Sequence, residues 1–384
     1  MMRSADRMTR IQPFHVMALL ARARELEAAG RSIVHMEIGE PDFITPQPVI
    51  DAGIKALQQG HTHYTQAVGL TALRERIALF YRERYRVTVE PERIVITPGA
   101  SAALQLVMAT LINPGNAVLM ADPGYPCNRN FVHLLNGEPR GIPVDATTAY
   151  QPSPEQVRAH WDETVSALML ASPSNPTGTL LGEQDIQQLF EIVRERGGSL
   201  VVDEIYHGLT YAGSAQTALA VSGDIFVINS FSKYFGMTGW RLGWLVAPVS
   251  SVAELDKLAQ NLFLAAPTPA QHAALAAFEP DNITILEARR EEFRIRRDYL
   301  LPALRELGFD IPVTPEGAFY LYADCSRFTD DSFSFSKQLL EEVGVAITPG
   351  IDFGNHRPER HVRFAYTTSL ENLTEGVRRL REFL

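Results

Sequence analysis

The sequence predicts an α/β protein: a large domain with a mostly parallel sheet covered by helices on both faces, and a smaller α+β domain. Between residues 93 and 230, short apolar runs alternate with longer helical segments, which is typical of parallel strands buried on both faces. After residue 281, a long helical segment is followed by short strands and further helices. The length of 384 residues is sufficient for two domains.

The N-terminal part is mainly helical in pattern. Apolar residues recur at helical spacing over 14–30, and a short apolar strand is predicted at 33–36. The motif GEPDF follows, and Gly39 in it can form a turn whose backbone N–H groups face a ligand. Two further helices are predicted, at 46–59 and at 70–86.

The central part alternates strands with helices. Six runs predict strands: IVIT at 94–97, AVLMA at 117–121, GIPV at 141–144, ALMLA at 167–171, SLVVD at 199–203 and IFVINS at 225–230. We place the large domain at residues 46–280. The small domain combines residues 1–45 with 281–384, where the strand patterns GAFYLYADC, VAITPG and HVRFAY occur.

Composition and charge argue against several functional classes. With 35 basic and 45 acidic residues the formal net charge is −10, which disfavours nucleic acid and anionic membranes as partners. The two cysteines have no disulfide or zinc-site spacing. The N-terminus lacks the apolar core of a signal peptide, and no stretch is long enough to span a bilayer. We therefore expect a cytoplasmic protein.

Candidate ligand-binding residues follow the predicted strands, where doubly wound sheets bind ligands. After IVIT, the turn at Gly99, Ala100 and Ser101 begins a helix and can bind a phosphate through free N–H groups. Tyr125, after AVLMA, can stack on a planar ring. Each of these residues also has a purely structural interpretation, as a helix start or a core tyrosine.

Polar residues follow the next two strands as well. Asn175 lies in the turn SPSNPTG, where its amide can donate to a ligand oxygen. Asp203 ends an apolar strand, so its carboxylate needs a cationic partner if it is buried. A protonated pyridine nitrogen is such a partner, although Asp203 could instead cap a helix. Tyr206 follows in DEIY, and we place His207 at the rim of the site.

The stretch INSFSKYFGMTGWRLGW, residues 228–244, contains Lys233 among small and apolar residues. A buried amine loses its proton more easily and becomes a nucleophile for carbonyl compounds. Ser230, Ser232 and Arg241 suit a phosphate. Together they indicate a lysine that forms an imine with a phosphorylated aldehyde, pyridoxal phosphate. The alternative is a snorkelling lysine beside a glycine-rich turn.

The motifs GEPDF, SNPTG, DEIY and SFSKYFGMTGWRLG, with RF near the C-terminus, resemble those of class I and II aminotransferases, of pyridoxal-phosphate-dependent fold type I. The resemblance covers nearly the whole chain. It implies a transaminase of amino acid metabolism that moves the amino group of an L-amino acid to a 2-oxo acid through a lysine Schiff base, in ping-pong half-reactions.

The resemblance also implies roles for the residues around the cofactor ring. Lys233 forms the Schiff base and moves the proton at Cα. Asp203 pairs with the pyridine nitrogen, which makes the ring an electron sink. Tyr206 and Asn175 donate to the ring's 3′-oxygen, and Tyr125 stacks on the ring face. The Asp122–Pro123 and Asn175–Pro176 bonds resemble bonds that are cis in the family.

Further roles concern the phosphate and the substrate. The groups expected to hold the phosphate are the turn at Gly99, the N–H groups of Ala100 and Ser101, and Ser230, Ser232 and Arg241. Tyr64 resembles a tyrosine that reaches the phosphate of the neighbouring subunit, which implies a homodimer with shared active sites. Arg363 is expected to bind the α-carboxylate of the substrate, assisted by Gly39 and Asn175.

The substrate is less defined. Relatives that act on aspartate can carry a lysine just after the phosphate-binding glycines, whereas this chain reads PGASAAL there. Phe14, Ile38 and Tyr64 suggest an apolar side-chain pocket, so we favour a neutral or aromatic amino donor. The alternatives are an aspartate aminotransferase and a C–S β-lyase on the same scaffold. A DNA-binding regulator and a nicotinamide dehydrogenase are disfavoured, because we find neither a DNA-reading segment nor a G-x-G-x-x-G turn.

Overall fold

The computed structural model of the protein describes residues 4–213 and 215–384. The first three residues of the predicted small domain, and the signal-peptide expectation that concerned them, lie outside these ranges. Twelve α-helices are present in the described residues: His15–Ala28 (α1), Gln47–Gln58 (α2), Thr71–Tyr85 (α3), Ala100–Leu111 (α4), Pro126–Leu134 (α5), Pro154–His160 (α6), Glu183–Glu195 (α7), Val252–Leu262 (α8), Thr268–Ala276 (α9), Pro280–Leu307 (α10), Ser332–Gln338 (α11) and Leu370–Phe383 (α12). None of them has both the length and the apolarity needed to cross a membrane.

The described strands number twelve as well: Val34–His35 (β1), Ile94–Thr97 (β2), Ala117–Asp122 (β3), Glu138–Pro143 (β4), Val165–Ala171 (β5), Ser199–Asp203 (β6), Phe226–Ser230 (β7), Gly243–Val246 (β8), Tyr320–Asp324 (β9), Val345–Ala346 (β10), Thr348–Pro349 (β11) and His361–Ala365 (β12). Seven of them form one sheet in the order β2-β8-β7-β6-β5-β3-β4. All its pairs are parallel except the two that β8 makes with β2 and β7. The predicted α/β class with a mostly parallel sheet is therefore confirmed.

The central strands of the large sheet are buried on both faces because their alternate residues enter different apolar clusters, whereas the edge strand β4 is partly exposed. In β2, Ile94 and Ile96 pack into one cluster together with residues of α3 and α7. Val95 between them packs into the other cluster, with residues of α4 and α8. The all-apolar runs of the sequence follow from this arrangement, since neither face of these central strands meets water.

All six strands predicted for the central part are present. The seventh, β8, was not predicted, because GWLV continues directly from the glycine-containing stretch around Lys233. It runs antiparallel to its neighbours, with Gly243 paired to Thr97 on one side and to Ser230 on the other. The N-terminal end of β8 therefore lies at the same edge as the carboxyl ends of the other strands.

Two smaller sheets lie outside the large one. Strands β11, β12 and β9 form an antiparallel sheet in that order. Strand β1 pairs in parallel with β10, so the N-terminal segment packs with the C-terminal part of the chain. The boundaries 46–280, and 1–45 with 281–384, stay a prediction.

Candidate active site

Most of the predicted site residues surround one cavity of about 290 Å³. Those that line it are Gly39, Ala100, Ser101, Tyr125, Asn175, Asp203, Tyr206, Ser230, Ser232, Lys233, Arg241 and Arg363. Most of them come together because the strands preceding them end at one edge of the large sheet, whereas Gly39 follows β1 and Arg363 lies on β12, outside that sheet. Arg241 joins them because it precedes the antiparallel strand β8, which begins at that edge.

Lys233 lies in the cavity wall, and its Nζ donates a hydrogen bond to the carbonyl oxygen of Gly39 at 2.7 Å. Burial lowers the pKa of Lys233 from 10.5 to about 8, the negative charge of Glu40 opposes this shift, and the positive charges of Arg363 and Arg241 reinforce it. An amine with this pKa is partly neutral near neutral pH, and a neutral amine can attack a carbonyl carbon.

Asp203, at the end of β6, is 5% exposed and accepts a hydrogen bond from the backbone N–H of Ile205 at 3.1 Å. Burial raises the pKa of its carboxyl to about 7, while the Ile205 N–H and the charge of Lys233 act in the opposite direction. Among the described residues its carboxyl forms no ion pair, although the charge of Lys233 in the same cavity acts on it. A cationic group of a ligand beside it would stabilise its ionised form.

A tyrosine pair and a third tyrosine line the same cavity. The hydroxyls of Tyr206 and Tyr320 lie 2.9 Å apart, and both side chains are buried. Tyr125 is the residue before α5. It lies between Pro123, which follows a cis peptide bond, and Pro126. Burial raises the pKa of all three hydroxyls, so they are neutral donors or acceptors at ordinary pH.

The turn before α4 forms a concave, positively charged surface. Gly99 has φ +79°, and a Cβ on it would lie 2.5 Å from Nη2 of Arg241. The guanidinium therefore packs directly on the turn, beside the first N–H groups of α4, which have no helical acceptor. The hydroxyl oxygen of Ser230 accepts from the N–H of Ser232 at 3.0 Å, which fixes the opposite wall. Such a surface can hold a phosphate group.

Arg363, on β12, is 4% exposed and is held by acceptors from three parts of the chain. Its Nη1 donates to Oδ1 of Asn175 at 2.8 Å, and its Nη2 donates to the carbonyl oxygen of Glu37 at 2.6 Å and to Oγ1 of Thr348 at 3.2 Å. Its Nε is buried without a hydrogen-bond partner among the described residues. The buried guanidinium lines the cavity and has no carboxylate paired to it within residues 4–213 and 215–384, so it can bind an anionic group of a ligand.

Three predicted residues lie outside the cavity lining. Gly99 does not line the cavity itself, but it packs against the guanidinium of Arg241, which does. Tyr64 is 81% exposed and lies in a different surface hollow, so within one chain it does not reach the site. The placement of His207 at the rim is wrong. It is buried, 3.1 Å from the hydroxyl of Tyr85, and burial lowers its pKa to about 3.

Several cavity residues were missed by the sequence analysis. Tyr320 belongs to the predicted strand GAFYLYADC, whose pattern does not show which residue faces the site. Val16 and Met17 follow Phe14 at the start of α1 and add to an apolar wall that includes the predicted Ile38. Their helical spacing was visible, but nothing in it indicated a ligand. The two predicted cis bonds are present, and Ser172–Pro173 is a third.

Comparisons with known proteins identify the family of the chain. Residues 31–380 match the family model described as aminotransferase class I and II. A (5-formylfuran-3-yl)methyl phosphate transaminase from Methanocaldococcus jannaschii is 37% identical over 383 residues, covering 99% of each chain. A valine–pyruvate aminotransferase from Mycobacterium tuberculosis is 38% identical over 376 residues, covering 97% of each. The solved aspartate aminotransferase of Thermus thermophilus with maleate superposes with a TM-score of 0.94 at 33% identity, covering 100% of both chains.

The family match spans nearly the whole sequence, and the relatives are matched from end to end. The relatives are also transaminases by name, and the seven-stranded sheet is shared with the solved neighbour. The chain therefore belongs to the class I and II aminotransferases, a family of pyridoxal-phosphate-dependent enzymes of fold type I, and it is a transaminase.

Proposed function

We propose that this transaminase uses pyridoxal phosphate to move the amino group of a neutral or aromatic L-amino acid to a 2-oxo acid. The observation that carries the proposal is the environment of Asp203, a buried carboxyl with a raised pKa that forms no ion pair among the described residues. A pyridinium nitrogen would supply that missing charge. Lys233, with its lowered pKa, lies in the same cavity.

The cavity residues fit the rest of this cofactor. Its phosphate would be held by the turn at Gly99, by Ser230 and Ser232, and by Arg241. Its ring would lie against Tyr125, with Tyr206 and Asn175 as donors to the ring oxygen. When bound, pyridoxal phosphate supplies an aldehyde that condenses with amines and a ring that takes up the electron pair left at Cα.

The protein's contribution is to bind, orient and move protons. Because its pKa is lowered, the amine of Lys233 is partly neutral near neutral pH. In its neutral form it can accept the proton from Cα and return it to another carbon of the reacting system. Asp203 stays ionised once a cation lies beside it, and it thereby keeps that cation protonated. Arg363 presents its guanidinium to the α-carboxylate common to all amino acids, and Asn175 fixes its orientation.

The substrate preference rests on the apolar residues of the cavity lining. Phe14, Val16, Met17, Ile38 and Leu104 are apolar and line the cavity. The cations in the lining are those already assigned to the amine, the phosphate and the α-carboxylate, so none remains for the distal carboxylate of a dicarboxylic donor. The valine–pyruvate aminotransferase relative supports a neutral donor, and the aspartate aminotransferase relative keeps aspartate as the competing candidate.

Borohydride reduction followed by peptide mapping tests the cofactor assignment. The purified enzyme is saturated with pyridoxal phosphate, reduced and digested, and the mass of the reduced cofactor should appear on the peptide that contains Lys233. Lys257, an exposed lysine whose Nζ contacts Glu254, serves as the internal control and should stay unmodified. A cofactor mass on any other lysine would overturn the assignment.

A half-reaction screen tests the substrate class. The cofactor-loaded enzyme is mixed with single amino acids, and the loss of its visible absorbance is followed. We expect valine, alanine and aromatic donors to react at least tenfold faster than aspartate, since one unpaired charge in an apolar pocket costs more than 1.4 kcal/mol. A faster reaction with aspartate would establish the competing donor. Release of pyruvate and ammonia from a sulfur amino acid, with no 2-oxo acid added, would indicate a C–S β-lyase.

A further inference from the structure

Tyr320 touches both functional halves of the cavity. Its hydroxyl lies 2.9 Å from the hydroxyl of Tyr206, on the side assigned to the cofactor. Its ring lies under Arg363, whose Cζ is 4.2 Å from the ring centroid, on the side assigned to the substrate. The side chain is 2% exposed. One buried residue on β9 therefore contacts two groups that belong to separate parts of the proposed mechanism.

The backbone at Gly39 encloses the Tyr320 hydroxyl. A Cβ on Gly39 would lie 1.9 Å from the hydroxyl oxygen, so only glycine lets the chain pass at this distance. The carbonyl oxygen of the same glycine accepts the hydrogen bond of Lys233. The hydroxyl is thus confined between this backbone segment and Tyr206, and it has little freedom to turn elsewhere.

The number of protons available determines which hydroxyl of the Tyr206–Tyr320 pair donates to the other. A tyrosine hydroxyl has one proton to donate and can also accept. If Tyr206 donates its proton to the ring oxygen of the cofactor, its own oxygen is left as an acceptor, and the neighbouring hydroxyl of Tyr320 is the group placed to donate to it. A donor behind Tyr206 polarises its O–H bond and strengthens the bond it makes in front.

We propose that Tyr320 is a positioning residue that directs the hydroxyl proton of Tyr206 toward the cofactor and holds the guanidinium plane of Arg363 toward the substrate. The inference rests on the proposed function, because it assumes pyridoxal phosphate in the cavity. It adds a residue that touches neither the phosphate-binding turn nor Lys233 through any hydrogen bond in the described chain.

The charged and titratable groups around the pair come from several elements. Those that act on the two hydroxyls are Arg363 on β12 and Tyr125 before α5. Further charged groups line the same cavity: Asp203 on β6, Lys233 and Arg241 in the stretch between β7 and β8, and Glu37 and Glu40 after β1. All are retained when the Tyr320 hydroxyl alone is removed. A change in the titration of the cofactor in Tyr320→Phe therefore reports on the hydroxyl.

The test compares Tyr320→Phe, which removes the hydroxyl, with Tyr320→Leu, which also removes the ring. Tyr322→Phe is the matched control, because Tyr322 lies on the same strand, is buried and does not line the cavity. A donor to the ring oxygen stabilises its negative charge, so a weaker donor raises the pH midpoint of the visible absorbance change. We expect Tyr320→Phe to raise this midpoint by about 0.5 to 1 pH unit, from the usual strength of one hydrogen bond.

The ring is tested by the steady-state kinetics. Tyr320→Leu should raise KM about tenfold for every amino acid alike, from the loss of a buried cation–π contact, whereas Tyr320→Phe should change KM less than twofold. A midpoint in Tyr320→Phe equal to that of Tyr322→Phe and the wild type, or equal KM values in the two Tyr320 variants, would overturn the corresponding half of the inference. A wild-type enzyme that shows no titrating band with pyridoxal phosphate would overturn the proposed function, and this inference with it.

Discussion

The side chain of Lys233 and the backbone of Gly39 are joined by a hydrogen bond of 2.7 Å from Nζ to the carbonyl oxygen. These residues are 194 positions apart. Lys233 follows β7, and Gly39 follows β1, which pairs with the C-terminal part of the chain. The bond therefore keeps the amine directed toward the segment that contacts Tyr320, in a cavity that Asp203 also lines.

The lowered pKa of Lys233 predicts a pH dependence for cofactor uptake. Only the neutral amine reacts with an aldehyde, and the pKa is about 8. We expect the rate at which the cofactor-free enzyme takes up pyridoxal phosphate to rise about tenfold per pH unit below 8 and to level off above it. Stopped-flow absorbance measures this rate. Lys233→Ala should show no uptake, and Lys257→Ala should behave as the wild type.

The raised pKa of Asp203 predicts that Asp203→Asn is more stable than the wild type without cofactor and less stable than the wild type with it. Folding raises the pKa from 3.8 to about 7, so the stability present below about pH 4 is lost as the pH rises through 7. At pH 8 the cofactor-free protein holds a buried, unpaired carboxylate. Asp203→Asn removes this charge, so we expect the cofactor-free variant to melt about 2 °C higher than the wild type.

In the loaded enzyme the order should reverse, because the wild-type carboxylate then has a cationic partner that the amide cannot replace. Differential scanning calorimetry at pH 8 and at pH 4, with and without pyridoxal phosphate, provides the four comparisons. At pH 4 the difference between the cofactor-free proteins should disappear. A variant that melts lower than the wild type in every condition would mean that Asp203 serves only to hold the turn through its bond to Ile205.

The sequence was sufficient to predict residues placed by the geometry of a parallel sheet. Asp203 and Asn175 each follow a strand, and all parallel strands of the sheet end at one edge, so local patterns were enough to bring them together. Arg241 was predicted through its motif, although the strand that places it, β8, was not. Its antiparallel direction depends on pairing with strands that lie far apart in the chain.

Residues that depend on packing between distant segments could not be predicted. Tyr320 faces the cavity because β9 pairs with β12 in one register, and an alternating apolar pattern allows either face. The burial of His207 follows from its contact with Tyr85, 122 residues away. Polarity alone placed it at the rim, which shows that a polar residue beside a motif can instead complete a buried network.

Arg363 should bind the carboxylate shared by all amino acids. Replacement by lysine keeps the charge but loses the planar pair of donors, so we expect kcat/KM to fall about a hundredfold for every donor tested, through KM. Arg360→Lys is the control, since Arg360 is half-buried, contacts Asp324 and does not line the cavity. A loss confined to acidic donors would instead identify Arg363 as a reader of the side chain.

We expect Tyr64 to contribute to an active site that is shared between two copies of the chain. It is 81% exposed here, and in the proposed dimer it reaches the phosphate of the other copy. Tyr64→Ala should weaken cofactor binding about tenfold. When Tyr64→Ala and Lys233→Ala subunits are mixed, each mixed dimer regains one intact site, so activity should return at low cofactor concentration. Mixing Lys233→Ala with Arg363→Ala should restore nothing, because those residues line the same cavity of one chain.

We expect Asp352 to influence the choice of substrate, because it holds the start of α1. Its carboxylate is 2% exposed and accepts hydrogen bonds from the backbone N–H groups of His15 and Val16, both at 2.9 Å. It thus caps α1 from a position 337 residues away. Val16, and Phe14 and Met17 beside it, line the apolar wall of the cavity. Asp352→Asn can satisfy only one of the two N–H groups, so the first turn should loosen.

We expect Asp352→Asn to raise KM about fivefold for donors with large apolar side chains, as the loss of about 1 kcal/mol from a helix cap implies. KM for alanine, which does not reach this wall, should change less than twofold. Asp331→Asn is the matched control, because Asp331 caps α11 through the N–H groups of Phe333 and Ser334 and lies outside the cavity. If KM for alanine rises as much as KM for phenylalanine, the cap stabilises the protein as a whole and does not shape the side-chain pocket.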